Sequence, residues 1–206
     1  MNDAASLSLE RLTDRKRAAI IAAAIEEFLA AGFDATSMDR IAARAGVSKR
    51  TVYNHFESKE ALFAAILQQL WNASDAVEAP AYRPDKPLRA QLLRLLSRKL
   101  SLLNDEAFLS LARVAIAAGI HSPERARDMV ARMGEREEDL TVWIRAAAAD
   151  GRLKTPDPQF ASQQLQGLVK AFAFWPQVTM GQPRLSQREQ KDVAESAADM
   201  FLARYT

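Results

Sequence analysis

The chain has 206 residues, 49% of them hydrophobic and 26% charged, with a formal net charge of +2. That is an ordinary globular balance, long enough for one large domain or two small ones. There is no cysteine, which excludes disulfides and thiolate metal sites. Two histidines, His55 and His121, are too few for most zinc sites.

The first ten residues, MNDAASLSLE, lack the basic start and apolar core of a secretory signal, and no run of about 18 apolar residues suggests a membrane span. The expected location is the cytoplasm. Residues 1–12 read as a flexible tail. The first helix is expected from Thr13 or Asp14, with an apolar stripe of Ala18, Ile21, Ala22, Ile25, Phe28 and Leu29. Gly32 closes it as a cap, with Phe33 beside it.

Two short helices follow, at about 37–45 and 48–55. Thr36 and Asp39 have the spacing of a capping box, and Met38, Ile41, Ala42 and Ala45 give the first of these helices an apolar face. Gly46 falls where a tight turn needs positive φ, and Ser48 caps the second helix, whose Val52 and Phe56 face inward. Lys49, Arg50, Thr51, Tyr53, Asn54 and His55 are left on the outside. Across residues 36–59, Arg40, Arg44, Lys49, Arg50 and Lys59 stand against Asp39 and Glu57.

Taken singly, Lys49, Asn54 or His55 is an ordinary solvated side chain. Short helix, glycine turn, short helix is the helix-turn-helix plan, whose second helix enters the DNA major groove. Arg50 can bond guanine O6 and N7, and Thr51 can meet a base edge. Tyr53 and His55 suit phosphates. Lys59, at the start of the next helix, and Thr36 read as further phosphate clamps.

A fourth helix begins at Ser58 and carries Leu62, Phe63, Ile66, Leu67, Leu70 and Trp71. The segment 79–87, APAYRPDKP, has three prolines and reads as a loop. Helices are expected at about 88–103 and 105–119. Another starts at Ser122-Pro123-Glu124 and runs to Asp150, closed by Gly151. Asp157-Pro158 opens the next, which Pro176 ends or kinks, and Ser186-Gln187-Arg188-Glu189 is a capping box for the last. The fold class is all-α, about nine helices: a three-helix helix-turn-helix domain at 13–57 and a helical bundle at 58–206.

The segment TSMDRIAARAGVSKRTVYNHFESKEAL resembles the DNA-binding domain of the TetR family. The match rests on Thr36, Asp39, Ile41, Ala42, Ala45-Gly46-Val47-Ser48, Thr51-Val52-Tyr53, His55-Phe56 and Ser58-Lys59-Glu60. Where family members often carry glycine this chain has Arg50, which places a long side chain near the bases. The stretches FLSLARVAIAAGIHSPERARD and GRLKTPDPQFASQQLQGLVKAF are similar to the AefR-type C-terminal domain.

The resemblance implies a homodimeric transcriptional regulator, commonly a repressor, on a palindromic operator of double-stranded DNA. It also implies a small-molecule effector bound by the C-terminal domain. Ala161, Leu165 and Leu168 on one helix, and Val193, Ala197 and Phe201 on the last, form the expected dimer interface. Phe63, Leu67, Trp71, Phe108, Trp143, Phe172 and Trp175 are the expected pocket lining, for a largely apolar ligand; Arg113 and His121 could add a polar contact. Each aromatic taken singly also fits an ordinary core. No phosphate loop, no cysteine nucleophile and no histidine with a partner at motif spacing is present. The chain therefore reads as no enzyme, with no catalytic residue, metal or cofactor. A helical binding protein that does not act on DNA would share the C-terminal reading and differ only at 36–59.

Overall fold

In the computed structural model, residues 2–75, 80–133 and 138–206 are described, with side chains from residue 12 onward except 74–79 and 132–137. Eleven helices are present among them and no strand. They fall into two units, Met1–Asn72 with Ser110–Arg127, and Ala73–Leu109 with Asp128–Thr206.

The first unit holds α1 (Asn2–Ala35), α2 (Met38–Arg44), α3 (Lys49–His55) and α4 (Lys59–Asp75). Helix α1 runs through the residues expected to form a tail, and Gly32 breaks it with φ 80° and ψ 165°. Its buried face is Ile20, Ile21, Ala23, Ala24, Glu27 and Phe28, whereas Leu29, expected inside, is 43% exposed. The displacement has a cause that apolar periodicity does not register: Glu27 is buried because two arginines of α2 come to meet it. Phe28, Phe33 and Phe63 pack ring to ring at 5.2–6.2 Å, so the start of α4 belongs to the same core as α1. That packing carries the compact unit beyond the expected boundary at residue 58. Burial of one such ring or of Ile66 stabilises by about 1.5–3 kcal/mol.

The second unit contains α5 (Leu88–Leu103), α8 (Asp139–Ala149), α9 (Pro158–Ala173), α10 (Trp175–Thr179) and α11 (Gln187–Tyr205). Helices α6 (Glu106–His121) and α7 (Pro123–Met133) each contribute residues to both units. Helix α5 packs on α11 and α9, and α9 packs on α8 and α11. Leu92, Leu96, Leu100, Leu103, Ile144, Leu165 and Val169 form the core, and Ala161, Ala194, Ala197 and Ala198 allow close approach of the backbones.

The end signals behave as their chemistry requires. Ser186 and Glu189 form the reciprocal capping box of α11. The Asp157 carboxylate accepts from Phe160 N–H at 3.0 Å, and Gly151 follows α8 with φ 72°. Pro176 lies in the first turn of α10, after α9 has ended at Ala173. The span expected as one helix from Ser122 to Asp150 is instead α7 and α8, with Glu138 extended as the N-cap of α8. Tyr82 donates to Asp150 at 2.5 Å and Arg152 donates to the carbonyls of Pro84 and Lys86, which fastens the proline-rich loop.

Four residues expected at a dimer interface, Ala161, Leu165, Ala197 and Phe201, are at most 3% exposed within the single chain. Their surfaces are already covered by their own protomer, so they have little to offer another. Leu168 and Val193 are half-buried. The exposed apolar groups of α9–α11 are Phe160, Phe172, Trp175, Met180 and Met200.

Candidate nucleic-acid interface

Helices α2 and α3 owe their short lengths to hydroxyl caps and one glycine. The N-cap of α2 is Ser37, whose Oγ accepts from Arg40 N–H, rather than Thr36. Ser48 caps α3, accepting from Thr51 N–H at 3.1 Å, and its hydroxyl lies 2.8 Å from that of Thr51. Gly46 takes φ 65° in the turn between them. A side chain there would meet no neighbour, so the glycine is required by the left-handed backbone alone. Val52 and Phe56 turn inward, while Lys49, Arg50, Tyr53 and Asn54 are exposed and Thr51 and His55 half-buried.

Two of the expected phosphate clamps have other work. Thr36 is 3% exposed, and its hydroxyl donates toward the carbonyls of Glu27 (3.1 Å) and Gly32 (2.8 Å). It fastens the turn after α1 and cannot also reach a phosphate from inside the core. Lys59 directs its ammonium to the carbonyls of Phe33, Asp34 and Thr36 at 2.7, 3.1 and 3.0 Å. Three donors meet three acceptors, which uses up the hydrogen-bonding capacity of the ammonium. Its Nζ also lies 4.5 Å from the centroid of the Phe33 ring, and the guanidinium of Arg125 lies 4.1 Å from the same centroid. Arg125 reaches Asp34 at 3.3 Å. The end of α1 is thus gripped by one cation from α4 and another from α7.

The remaining charges are distributed unevenly. Arg40 and Arg44 lie 2.8 and 2.6 Å from the buried carboxylate of Glu27, and Arg44 also meets Glu26 at 2.8 Å. The hydrogen bond from Arg44 holds the Glu27 carboxyl below the usual glutamate range, against the opposing effect of burial. Lys49 lies 2.8 Å from Asp39, and that hydrogen bond raises the lysine above its ordinary value. Arg50 is exposed and takes part in none of these pairs. On α1, Arg17 lies over Phe56 at 4.9 Å, while Arg15 and Lys16 are exposed. In the sequence these three stand out only as a run of consecutive cations, Arg15-Lys16-Arg17, ahead of an apolar helix.

The expected pocket residues divide between the units. In the first, Phe63 and Leu67 are buried and Trp71 half-buried. In the second, Phe108 and Trp143 are buried while Phe172 and Trp175 are 59% and 46% exposed. Among the described residues, no helix is long and apolar enough to cross a membrane.

A two-helix corner with a capped glycine turn, presenting one polar face of its second helix, is the plan of a helix-turn-helix DNA-binding protein. Residues 20–66 match the family profile described as bacterial regulatory proteins, tetR family, and residues 90–206 match the AefR-like transcriptional repressor, C-terminal domain. The chain is similar to the HTH-type transcriptional regulator RutR of Escherichia coli strain K12, with 30% identity over 174 residues, 82% of this chain and 79% of RutR. A solved TetR family transcriptional regulator from Pseudomonas syringae pv. tomato DC3000 superposes with a TM-score of 0.83 at 56% identity, over 92% of this chain and 96% of that one. The flavonoid-responsive regulator FrrA superposes with a TM-score of 0.67 at 28% identity, over 94% and 98%. The chain belongs to the TetR family, with an AefR-like C-terminal domain. It is a DNA-binding transcriptional regulator and not an enzyme.

Proposed function

We propose that the protein is a cytoplasmic repressor that binds a palindromic operator as a homodimer and is released by a mostly apolar small molecule. The observation that carries this reading is the contrast on α3: Arg50, Tyr53 and Asn54 are exposed, while neighbouring cations are paired within the chain. Arg50 is the base-reading side chain, with a bidentate contact to guanine, and Thr51 meets an adjacent edge. Ser48, Lys49, Tyr53, Asn54 and His55 line the same surface, and Tyr53 and His55 fix register on the phosphates. Two copies would set their second helices about 34–36 Å apart, one turn of the duplex.

Dimerisation is supported by the exposed apolar groups of α9 and α11. Phe160, Phe172 and Met200 are more than half exposed, and Leu168 and Val193 border them. A second copy would cover this area by an isologous contact. Repression agrees with the description of the C-terminal family profile, and an organic effector with that of FrrA as flavonoid-responsive. Release requires the effector to bind the two states of the protein with different affinity. The grip of Arg125 and Lys59 on Phe33 gives α7 a physical hold on the turn that leads into α2.

DNase footprinting of the DNA beside the gene tests the whole reading. One protected palindrome, about 20 base pairs or two half-sites long, is the expected result. Uniform weak binding to every sequence, unaffected by Arg50→Ala, would contradict it.

A further inference from the structure

Helix α3 opens on two adjacent cations, and the fold treats them differently. Lys49 and Arg50 follow the Ser48 cap directly, and the first turn of α3 holds no acidic residue, so neither finds a counter-charge within its own turn. For Lys49 the acid comes from the other helix of the motif. Asp39, in the first turn of α2, brings both carboxylate oxygens to Lys49 Nζ, Oδ1 at 2.8 Å and Oδ2 at 3.1 Å. The same ammonium lies 6.0 Å from the centroid of the Tyr53 ring, one turn further along α3. Arg50 is exposed and has no carboxylate partner among the described residues.

Both members of the pair face solvent, with side chains 60% and 61% exposed, and an ion pair so placed adds little to the stability of the fold. Its weight falls on binding. A lysine strengthens the hold on a duplex by neutralising a phosphate and setting a counterion free. Lys49 can do that only by leaving Asp39, whose carboxylate would then stand unpaired beside a polyanion. What the phosphate contact gains, the stranded charge takes back.

We propose that Asp39 is a positioning residue that keeps Lys49 off the DNA phosphates, so that Lys49 adds no net phosphate contact although it stands at the head of α3. This rests on the reading of α3 as the groove-facing helix and adds a restraint to it. A residue of α2 thereby sets how strongly the protein holds any duplex, and Arg50 is left as the cation of α3 that is free to reach a base edge.

The test is fluorescence anisotropy of the full-length protein across a salt series, on a random-sequence duplex pool and on a duplex that the wild type enriches from that pool. Asp39→Asn is expected to bind both about fivefold more tightly at low salt, with a log–log salt slope steeper by about 0.9 unit, the signature of one added phosphate contact. Lys49→Met should reverse both changes in that background, and should cost at least threefold more affinity there than beside an intact Asp39. Asp39→Glu, which keeps the carboxylate, should keep the wild-type slope. An unchanged slope for Asp39→Asn would overturn the proposal. So would a steeper slope that survives Lys49→Met, because it reports a lost negative charge rather than a released lysine. Equal losses from Lys49→Met in both backgrounds would overturn it too, since the lysine would then already be on a phosphate. Thermal melts score the fold apart from the slope, and Asp39→Ser gives the same comparison where asparagine unsettles α2. Failure of the wild type to enrich any sequence would defeat the reading of α3 above, whereas enrichment alongside failed slopes defeats only this restraint.

Discussion

Lys59 separates two readings of the same residue sharply enough to be worked through. Viewed along the chain it resembles a phosphate clamp at a helix start; in the fold it donates to three carbonyls at the end of α1. Lys59→Met keeps much of the hydrocarbon stem and removes the donors. A hydrogen bond to a charged group contributes about 1.5–3 kcal/mol when well shielded. Here one of the three is exposed and the others half-buried, so water replaces part of each. A loss of about 1.5–3 kcal/mol for the set follows, with the Phe33 contact adding about 0.5 kcal/mol. For a chain of this size that total of about 2–3.5 kcal/mol is roughly 4–14 °C in Tm, at about 2–4 °C per kcal/mol. The assay pairs a thermal melt with operator affinity measured across a salt series. A structural lysine lowers Tm and leaves the salt slope of the folded protein unchanged. An unchanged Tm with a slope shallower by about one unit would refute the reasoning, because that is the signature of one lost phosphate contact.

Three further outcomes can be checked independently. Arg50→Ala should cost roughly 1–3 kcal/mol of operator binding and relax selectivity at one base position, with Tm unchanged, when gel shifts are run on a panel of single-base variants. Glu27 is depressed by its arginine partners, so its contribution to stability is fully present above the usual glutamate range and is lost as pH falls through the lower folded value. Urea midpoints of the wild type and Glu27→Gln should therefore differ at neutral pH and converge on acidification; a gap independent of pH would contradict the ion-pair account. Phe172→Glu places a charge in the exposed face of α9, and sedimentation velocity should show monomers where the wild type sediments as a dimer, with little change in Tm.

Much of the helix-turn-helix was legible because its determinants are local. Ser48, Gly46 and the inward pair Val52 and Phe56 act within a few residues of one another, and backbone chemistry decides what each does. The capping box at Ser186 was readable for the same reason. Thr36 and Lys59 were misassigned because their partners lie up to 26 residues away and are backbone carbonyls, which no side-chain pattern marks. Glu27 escaped notice because hydrophobic periodicity counts only apolar residues, and a carboxylate enters a core when cations from another helix enclose it. Helix α9 is apolar on two faces, so spacing alone could not say which faces inward; Ala161 and Leu165 took the core while Phe160 and Phe172 stayed outside.

The internal pairing of cations bears on how such a protein finds its place on a chromosome. Of the five cations between 36 and 59, Arg40, Arg44, Lys49 and Lys59 are already committed to partners in the same chain. Sequence-independent attraction to DNA grows with the number of phosphates neutralised and counterions set free. A helix-turn-helix with few uncommitted cations adds little to the hold on arbitrary DNA. A genome presents roughly 10⁶–10⁹ competing sites, so weak background adhesion would keep more copies unoccupied and ready for the operator proposed above. Under the proposed function, economy of free charge would lower the number of molecules a cell needs to keep its operator filled.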